Sequence, residues 1–276
     1  MPFHWHGVTV VLLVALALLH GRVVPGARER RFALGALTAL GAVTLWPVGD
    51  LAASVSLSVA TVQRLVVMLL VAPWALLSLP TPLLARLTRP SFVDALTRRL
   101  AHPGVAMLVV SVFGTLTLVP PVVDGGARWS LVRGLTVLGT LVVGVVLWIP
   151  ALALLPGTRR LSPTGRAGYV FVSALVVTSL SIVWIFAHHS LYPGLHYQFA
   201  DVHMTALLDQ QLAGFIAKFG SYVPMGAVAF TIFARARDRG APLEEGPLYF
   251  ADVERELLRV DRQRARSRRR DGSGEK

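Results

Sequence analysis

The sequence contains no cysteine, which excludes a disulfide framework, a thiolate metal site and thiol catalysis. Charge is scarce: only 15% of the 276 residues are Asp, Glu, Lys or Arg, against roughly 25% in ordinary soluble domains. Lysine is nearly absent, since 25 of the 27 basic residues are Arg. There is no Walker loop and no glycine triplet set between a strand and a helix, so the nucleotide-binding signatures are missing. Ser190 stands beside His189 but has no strand-to-helix elbow and no defined acid, so a hydrolase triad has nothing to build on. The expectation is a protein that is not an enzyme.

What remains is apolar. Hydrophobic residues make up 54% of the chain and the mean hydropathy is +0.61. The charges cluster in short stretches and in the last forty or so residues, leaving apolar runs that can cross a hydrocarbon layer roughly 30 Å thick. The pattern predicts an all-α, polytopic membrane helix bundle of about seven spans. They run near Trp5 to His20, Phe32 to Trp46, Leu57 to Leu79, Gly104 to Val123, Leu131 to Leu155, Gly168 to His188 and Gln211 to Ala234. Residues 1–234 form the bundle, and residues 235–276 a basic tail, partly helical over Tyr249 to Arg266 or disordered.

Arg marks the side, because cytoplasmic loops retain basic residues. Arg22, Arg28, Arg30 and Arg31 fill the first connection, Arg86, Arg89, Arg98 and Arg99 the third, and Arg159, Arg160 and Arg166 the fifth. The tail carries twelve basic and nine acidic residues. These stretches alternate with outer connections that hold only Arg128 and Arg133, so the amino terminus is expected outside and the carboxyl terminus in the cytoplasm. The net charge of +12 is thus a topology signal. It implies membrane lipids as partners and no nucleic acid. The Arg, Ala, Val, Leu and Gly richness suggests a bacterial protein of the plasma membrane.

Without cysteine, imidazole is the most versatile ligand available. His4 and His6 precede the first span, and His188, His189, His196 and His203 lie in or near the last outer loop, with Met204 beside His203. Imidazole with thioether suits copper, so His4, His6, His196, His203 and Met204 are the candidate metal ligands. Their irregular spacing fixes no geometry, and solvated loop histidines are the plainer reading. Pro73, Pro80, Pro82, Pro120, Pro121 and Pro150 read as kinks or span ends. Gly134, Gly139 and Gly144 read as points of close helix packing.

Asp209-Gln210-Gln211-Leu212-Ala213-Gly214 opens the last span, and Leu191-Tyr192-Pro193 lies upstream of it. In order before them come Val62-Gln63, Val71-Ala72-Pro73, Leu79-Pro80-Thr81-Pro82, His102-Pro103, Pro120-Pro121 with Asp124, and Gly144 to Trp148 with Pro150. This series resembles the CtaG-type cytochrome c oxidase assembly factors, with their D-Q-Q-x-A-G and L-Y-P motifs, over nearly the whole bundle. The resemblance implies a helper in assembly or copper maturation of a respiratory haem–copper oxidase, with oxidase subunits or copper chaperones as partners. Asp209, Gln210, Gln211, Gly214, Tyr192, Pro193 and Gln63 carry the family pattern.

The chain also departs from that family. Its intramembrane H-x-V-Q-H has Ala60 and Arg64 in place of the two histidines, W-H-x-P has Val119, and H-x-x-E-H falls on Arg133, Thr136 and Val137. The M-W after D-Q-Q-x-A-G is Ala217-Lys218. The resemblance therefore implies a degenerate member that lacks its own intramembrane metal site and acts as a scaffold. Arg64, Lys218 and Asp209 are expected to form a polar network joining the third and seventh spans, with Gln63, Gln210, Gln211 and Asp124 near enough in depth to take part. A transporter or channel for a small ion or solute is the alternative, with Arg64 and Lys218 lining its path. No inverted repeat supports it.

Overall fold

The computed structural model describes residues 7–24, 26–155, 161–179, 181–192, 195 and 204–238. These residues are helical throughout their ordered elements, and no strand occurs among them. Two helices open the chain, α1 (Gly7–Val23) and α2 (Ala27–Thr44), followed by a short α3 (Val48–Ser54). The next pass runs from α4 (Leu57–Val66) through a π turn at Val67–Val71 into α5 (Ala72–Leu77). Short α6 (Thr81–Leu87) and α7 (Ser91–Leu100) lead to α8 (Pro103–Leu116) and α9 (Pro120–Arg128). The long α10 (Ser130–Leu152), α11 (Pro163–Val177), the single turn and a half of α12 (Ser181–Ile185), and α13 (Ala206–Asp238) complete the order.

Three stretches are by themselves long and apolar enough to cross a membrane: Leu57–Leu77, Ser130–Leu152 and Ala206–Asp238. Two bent pairs, α2 with α3 at 53° and α7 with α8 at 87°, raise the number to five if each is a single span. The first and sixth of the seven expected crossings correspond to α1 and α11, of 17 and 15 residues. The fourth was expected to run through Val123, but the chain breaks at Thr117 and restarts as α9, with Pro120 and Pro121 at its first positions. Proline is favoured there because it has no N–H to leave unsatisfied.

Successive passes alternate in direction. His20 near the end of α1 hydrogen-bonds through Nε2 to the Ser78 carbonyl, 3.0 Å away at the end of α5, so these two passes run parallel. Gln63, in the first third of the Leu57–Leu77 pass, donates to the Val43 carbonyl at the end of α2, which sets α2 antiparallel. Arg166 at the start of α11 donates to the Ala151 carbonyl at the end of α10. Asp209 at the start of α13 meets the start of α4. The large core draws Met68, Ala72, Val110, Leu147, Trp148, Val170 and Met225 from these passes. The outer face is equally apolar, with Phe230 72% and Leu131 72% exposed, as expected where lipid rather than water is outside.

One junction shows how the sequence tolerates its breaks. Pro73 has no N–H to offer the previous turn, and the Ala72 N–H reaches back five residues to the Val67 carbonyl, widening the helix locally. The Met68 carbonyl is left without its helical partner and accepts from Trp148 Nε1 at 3.0 Å. Gly144 makes this approach possible, because a Cβ there would lie 2.8 Å from Ala72 Cβ and 3.0 Å from Met68 Cα. Gly139 likewise has Phe113 at 2.6 Å from an added Cβ. Gly134 has nothing within 4 Å, so of the three glycines expected at close packing it is the one that is not. Residues 239–276, including the expected tail helix, lie outside the described residues.

Candidate functional site

Two regions at the end of the bundle where α4, α10 and α13 begin hold several of the residues singled out in the sequence. The first is a clasp built by the D-Q-Q-x-A-G motif. Asp209 is 0% exposed. Its carboxylate accepts from the Ser56 hydroxyl at 2.8 Å, the Leu57 N–H at 2.6 Å and the Ser58 N–H at 3.3 Å. A carboxylate from one helix thus caps the N-terminus of another, where unpaired N–H groups and the helix dipole favour negative charge. The Ser58 hydroxyl returns a bond to the Asp209 carbonyl at 2.8 Å.

The neighbouring motif residues bind the segment that follows α12. Gln210 accepts from the Leu191 N–H at 2.8 Å, and Gln211 donates to the Ala187 carbonyl at 3.1 Å. Gly214 is required by contact: a Cβ there would sit 2.9 Å from the Ser181 carbonyl oxygen and 2.7 Å from Ile185 Cγ1. Tyr192, 1% exposed, donates to the Leu118 carbonyl at 2.8 Å and accepts from Trp184 Nε1 at 2.9 Å. Burial pushes its phenol up to about 12, against the opposing effect of the Trp184 hydrogen bond and the Arg64 charge. It therefore stays protonated and able to donate at neutral pH. The motif holds α12, the residues just after it and α4 in register.

The second region is a cavity of about 110 Å³ beside the clasp. Ala60 and Arg64 of α4 and Arg133, Thr136 and Val137 of α10 all line it. These are the positions where the resemblance noted in the sequence implies the histidines and acid of two separate motifs, so residues some seventy apart in sequence converge on one space. Val119 is not among the lining residues, but Thr117 and Leu118 just before it are. No described residue lining the cavity is His, Cys, Met, Asp or Glu, and two guanidinium groups repel a cation. The residues present do not fit a copper ion.

The expected network of Arg64, Lys218 and Asp209 takes another form. The Asp209 carboxylate is used by the start of α4, with no ion pair to either cation among the described residues. Arg64 donates through one terminal nitrogen to Thr117 Oγ1 and to the Gly114 carbonyl, and its guanidinium lies 6.0 Å from the Phe113 ring centroid. Lys218 stands apart, over the Tyr222 ring at 5.1 Å. It is Asp209 with Ser56, Leu57 and Ser58 that links α13 to α4. Ser56 and Ser58 were not anticipated, although a serine immediately before an apolar run is a helix-start signal. Gln63 is taken by the Val43 carbonyl, and Asp124 Oδ1 is buried with no partner among the described residues.

Of the expected metal ligands, His4, His6, His196 and His203 lie outside the described residues, as does Pro193 of the L-Y-P motif, and Met204 lies just before α13. His188 and His189 are exposed. No group of three His, Asp or Glu able to hold a metal occurs among the described residues.

The fold and these two regions define an all-helical membrane protein whose D-Q-Q-x-A-G motif is a packing device set beside a cavity. A family model described as cytochrome c oxidase caa3 assembly factor (Caa3_CtaG) matches residues 10–239, and the chain belongs to that family. In the same comparisons no curated protein and no solved structure matches the chain.

Proposed function

We propose that this protein assists assembly of a respiratory haem–copper oxidase in the bacterial plasma membrane, as a non-enzymatic scaffold with no copper site inside the bundle. One observation carries the reading: the cavity assembled from the family's ligand positions presents Ala60, Arg64, Arg133, Thr136 and Val137, a set with no soft or imidazole donor for copper. Any copper handling then falls to the outer-face set of His4, His6, His196, His203 and Met204. Seven crossings, amino terminus outside and carboxyl terminus inside, agree with the alternating helix directions and the alternation of Arg-rich connections.

Deleting the gene and measuring oxidase activity with and without added copper tests the role. Lost activity that copper does not restore is the expected result, and restoration by copper would overturn the scaffold reading. Cu(I) titration of the purified protein against a variant with the four histidines changed to Ala tests the outer-face set. Tags on the two termini that report the same side of the membrane would refute the topology.

A further inference from the structure

We propose that the cavity binds a phosphate-sized oxyanion between the guanidinium groups of Arg64 and Arg133. Arginine offers five N–H donors in a planar fork that matches an oxyanion's paired oxygens. Arg64 uses only one terminal nitrogen, toward Thr117 and Gly114. Its other terminal nitrogen and Nε have no bond among the described residues, and Arg64 borders both this cavity and a smaller one of about 60 Å³. Arg133 has a buried Nε with no hydrogen-bond partner and a loose ion pair to Asp50 at 3.7 Å. Two guanidinium groups with unused donors therefore border one space, and the buried Arg133 Nε left without a partner is costly.

The surroundings agree with an anion in size and charge. At about 110 Å³ the space far exceeds the ~10–15 Å³ that a single water needs, leaving room for a phosphate group with accompanying water. Thr136 and Thr140 also line it, but their hydroxyls donate to the carbonyls of Val132 and Thr136 in their own helix. The acidic groups on the packed elements are Asp50, which faces Arg133, Asp124 on α9, and Asp209 on α13, whose carboxylate is taken by Ser56, Leu57 and Ser58 at the start of α4; none of the three is among the lining residues. Arg64 lies seven residues into α4, about 10 Å along the helix, and Arg133 three residues into α10. The cavity is thus near one end of the bundle, within reach of the compartment outside the bilayer and of lipid headgroups. The oxyanion is either free phosphate or the phosphodiester of a phospholipid. The inference stands whether or not the protein serves an oxidase.

The test uses the full chain, purified in detergent and titrated calorimetrically with inorganic phosphate, and in parallel assayed by native mass spectrometry for retained phosphatidylglycerol. Saturable phosphate binding that falls at least tenfold in both Arg64→Gln and Arg133→Gln establishes a free-anion site. Retention of phosphatidylglycerol by the wild-type chain and its loss in the same variants, without phosphate binding, establishes a lipid site. Ala60→Leu keeps both charges and fills the cavity, so it must also abolish binding, and it decides the matter should either Arg variant fail to fold. Absence of both ligands from the wild-type protein, or binding unchanged in Ala60→Leu, overturns the proposal. Neither readout involves oxidase activity, so a failure here leaves the assembly reading untouched.

Discussion

The clasp and the cavity lie side by side and use polar groups in opposite ways. In the clasp nearly every donor and acceptor is engaged: the Asp209 carboxylate accepts three bonds, and the Tyr192 hydroxyl both donates and accepts. Gln210 Nε2 is its one buried group without a partner among the described residues. In the cavity, cationic donors remain unused. Buried polar groups that are fully satisfied fix one arrangement of the elements that carry them, whereas unsatisfied ones are costly unless something else arrives to meet them. Asp209, Gln211, Gly214 and Tyr192 thus maintain the architecture, whereas Arg64 and Arg133, two of the positions where this chain departs from the family pattern, line the space with chemistry still available.

Breaking the clasp is expected to have the largest effect. Asp209→Ala leaves the Ser56 hydroxyl and two N–H groups of α4 buried without an acceptor, which at ~1–3 kcal/mol for each orphaned group amounts to roughly 3 kcal/mol or more. Equilibrium unfolding in mixed micelles should show this, and a loss under about 1 kcal/mol would mean that the carboxylate does not hold α4 to α13. Gly214→Leu comes next. A side chain there must displace the Ser181 carbonyl and Ile185, and overpacking of this kind typically costs ~1–3 kcal/mol. Its mark is a loosened α12, read as faster hydrogen exchange over residues 181–185, while exchange in α10 is unchanged.

The sequence showed the all-helical membrane character, the order of the long passes and the motif that belongs to the clasp, because apolar length and side-chain type are local properties. It did not show what the motif touches. Asp209 reads in sequence as an intramembrane acid in want of a cation, and Arg64 and Lys218 are the obvious candidates at that depth. The N–H groups of α4 took the place because a helix terminus is an electropositive partner that no residue letter displays. Hydrophobic runs likewise gave no sign of the break at Thr117 or of α3, since a short helix beside a longer one merges with it in hydropathy. The convergence of Arg64 with Arg133 is legible only through the parallel packing of α4 and α10, which rests on Gly144 and on the bond from Trp148 to the Met68 carbonyl.

That bond supplies a middle-sized effect. Trp148→Phe keeps most of the buried ring but leaves the Met68 carbonyl, released by the π turn, without a donor; the expected loss is about 1–2 kcal/mol in the same unfolding assay. Tyr192→Phe should cost a similar amount, about 1–2 kcal/mol, by removing the hydroxyl that joins Leu118 to Trp184. Both variants sharpen the comparison, because neither residue contributes a charge and each acts through one engaged polar group.

The smallest effect is expected in the cavity. Arg64→Leu removes a partly buried cation that has no carboxylate partner among the described residues, and replacing a buried charge by an apolar side chain of similar volume is often neutral or stabilising. What it forfeits is a hydrogen bond to Thr117, whose hydroxyl already donates to the Phe113 carbonyl in its own helix, a long one to the Gly114 carbonyl, which also accepts from Thr117, and the contact with the Phe113 ring. The unfolding free energy should change by less than about 1 kcal/mol in either direction. A loss comparable to that of Asp209→Ala would place Arg64 among the groups that hold the bundle together, and the division between a structural clasp and an available cavity would fail at its most exposed point.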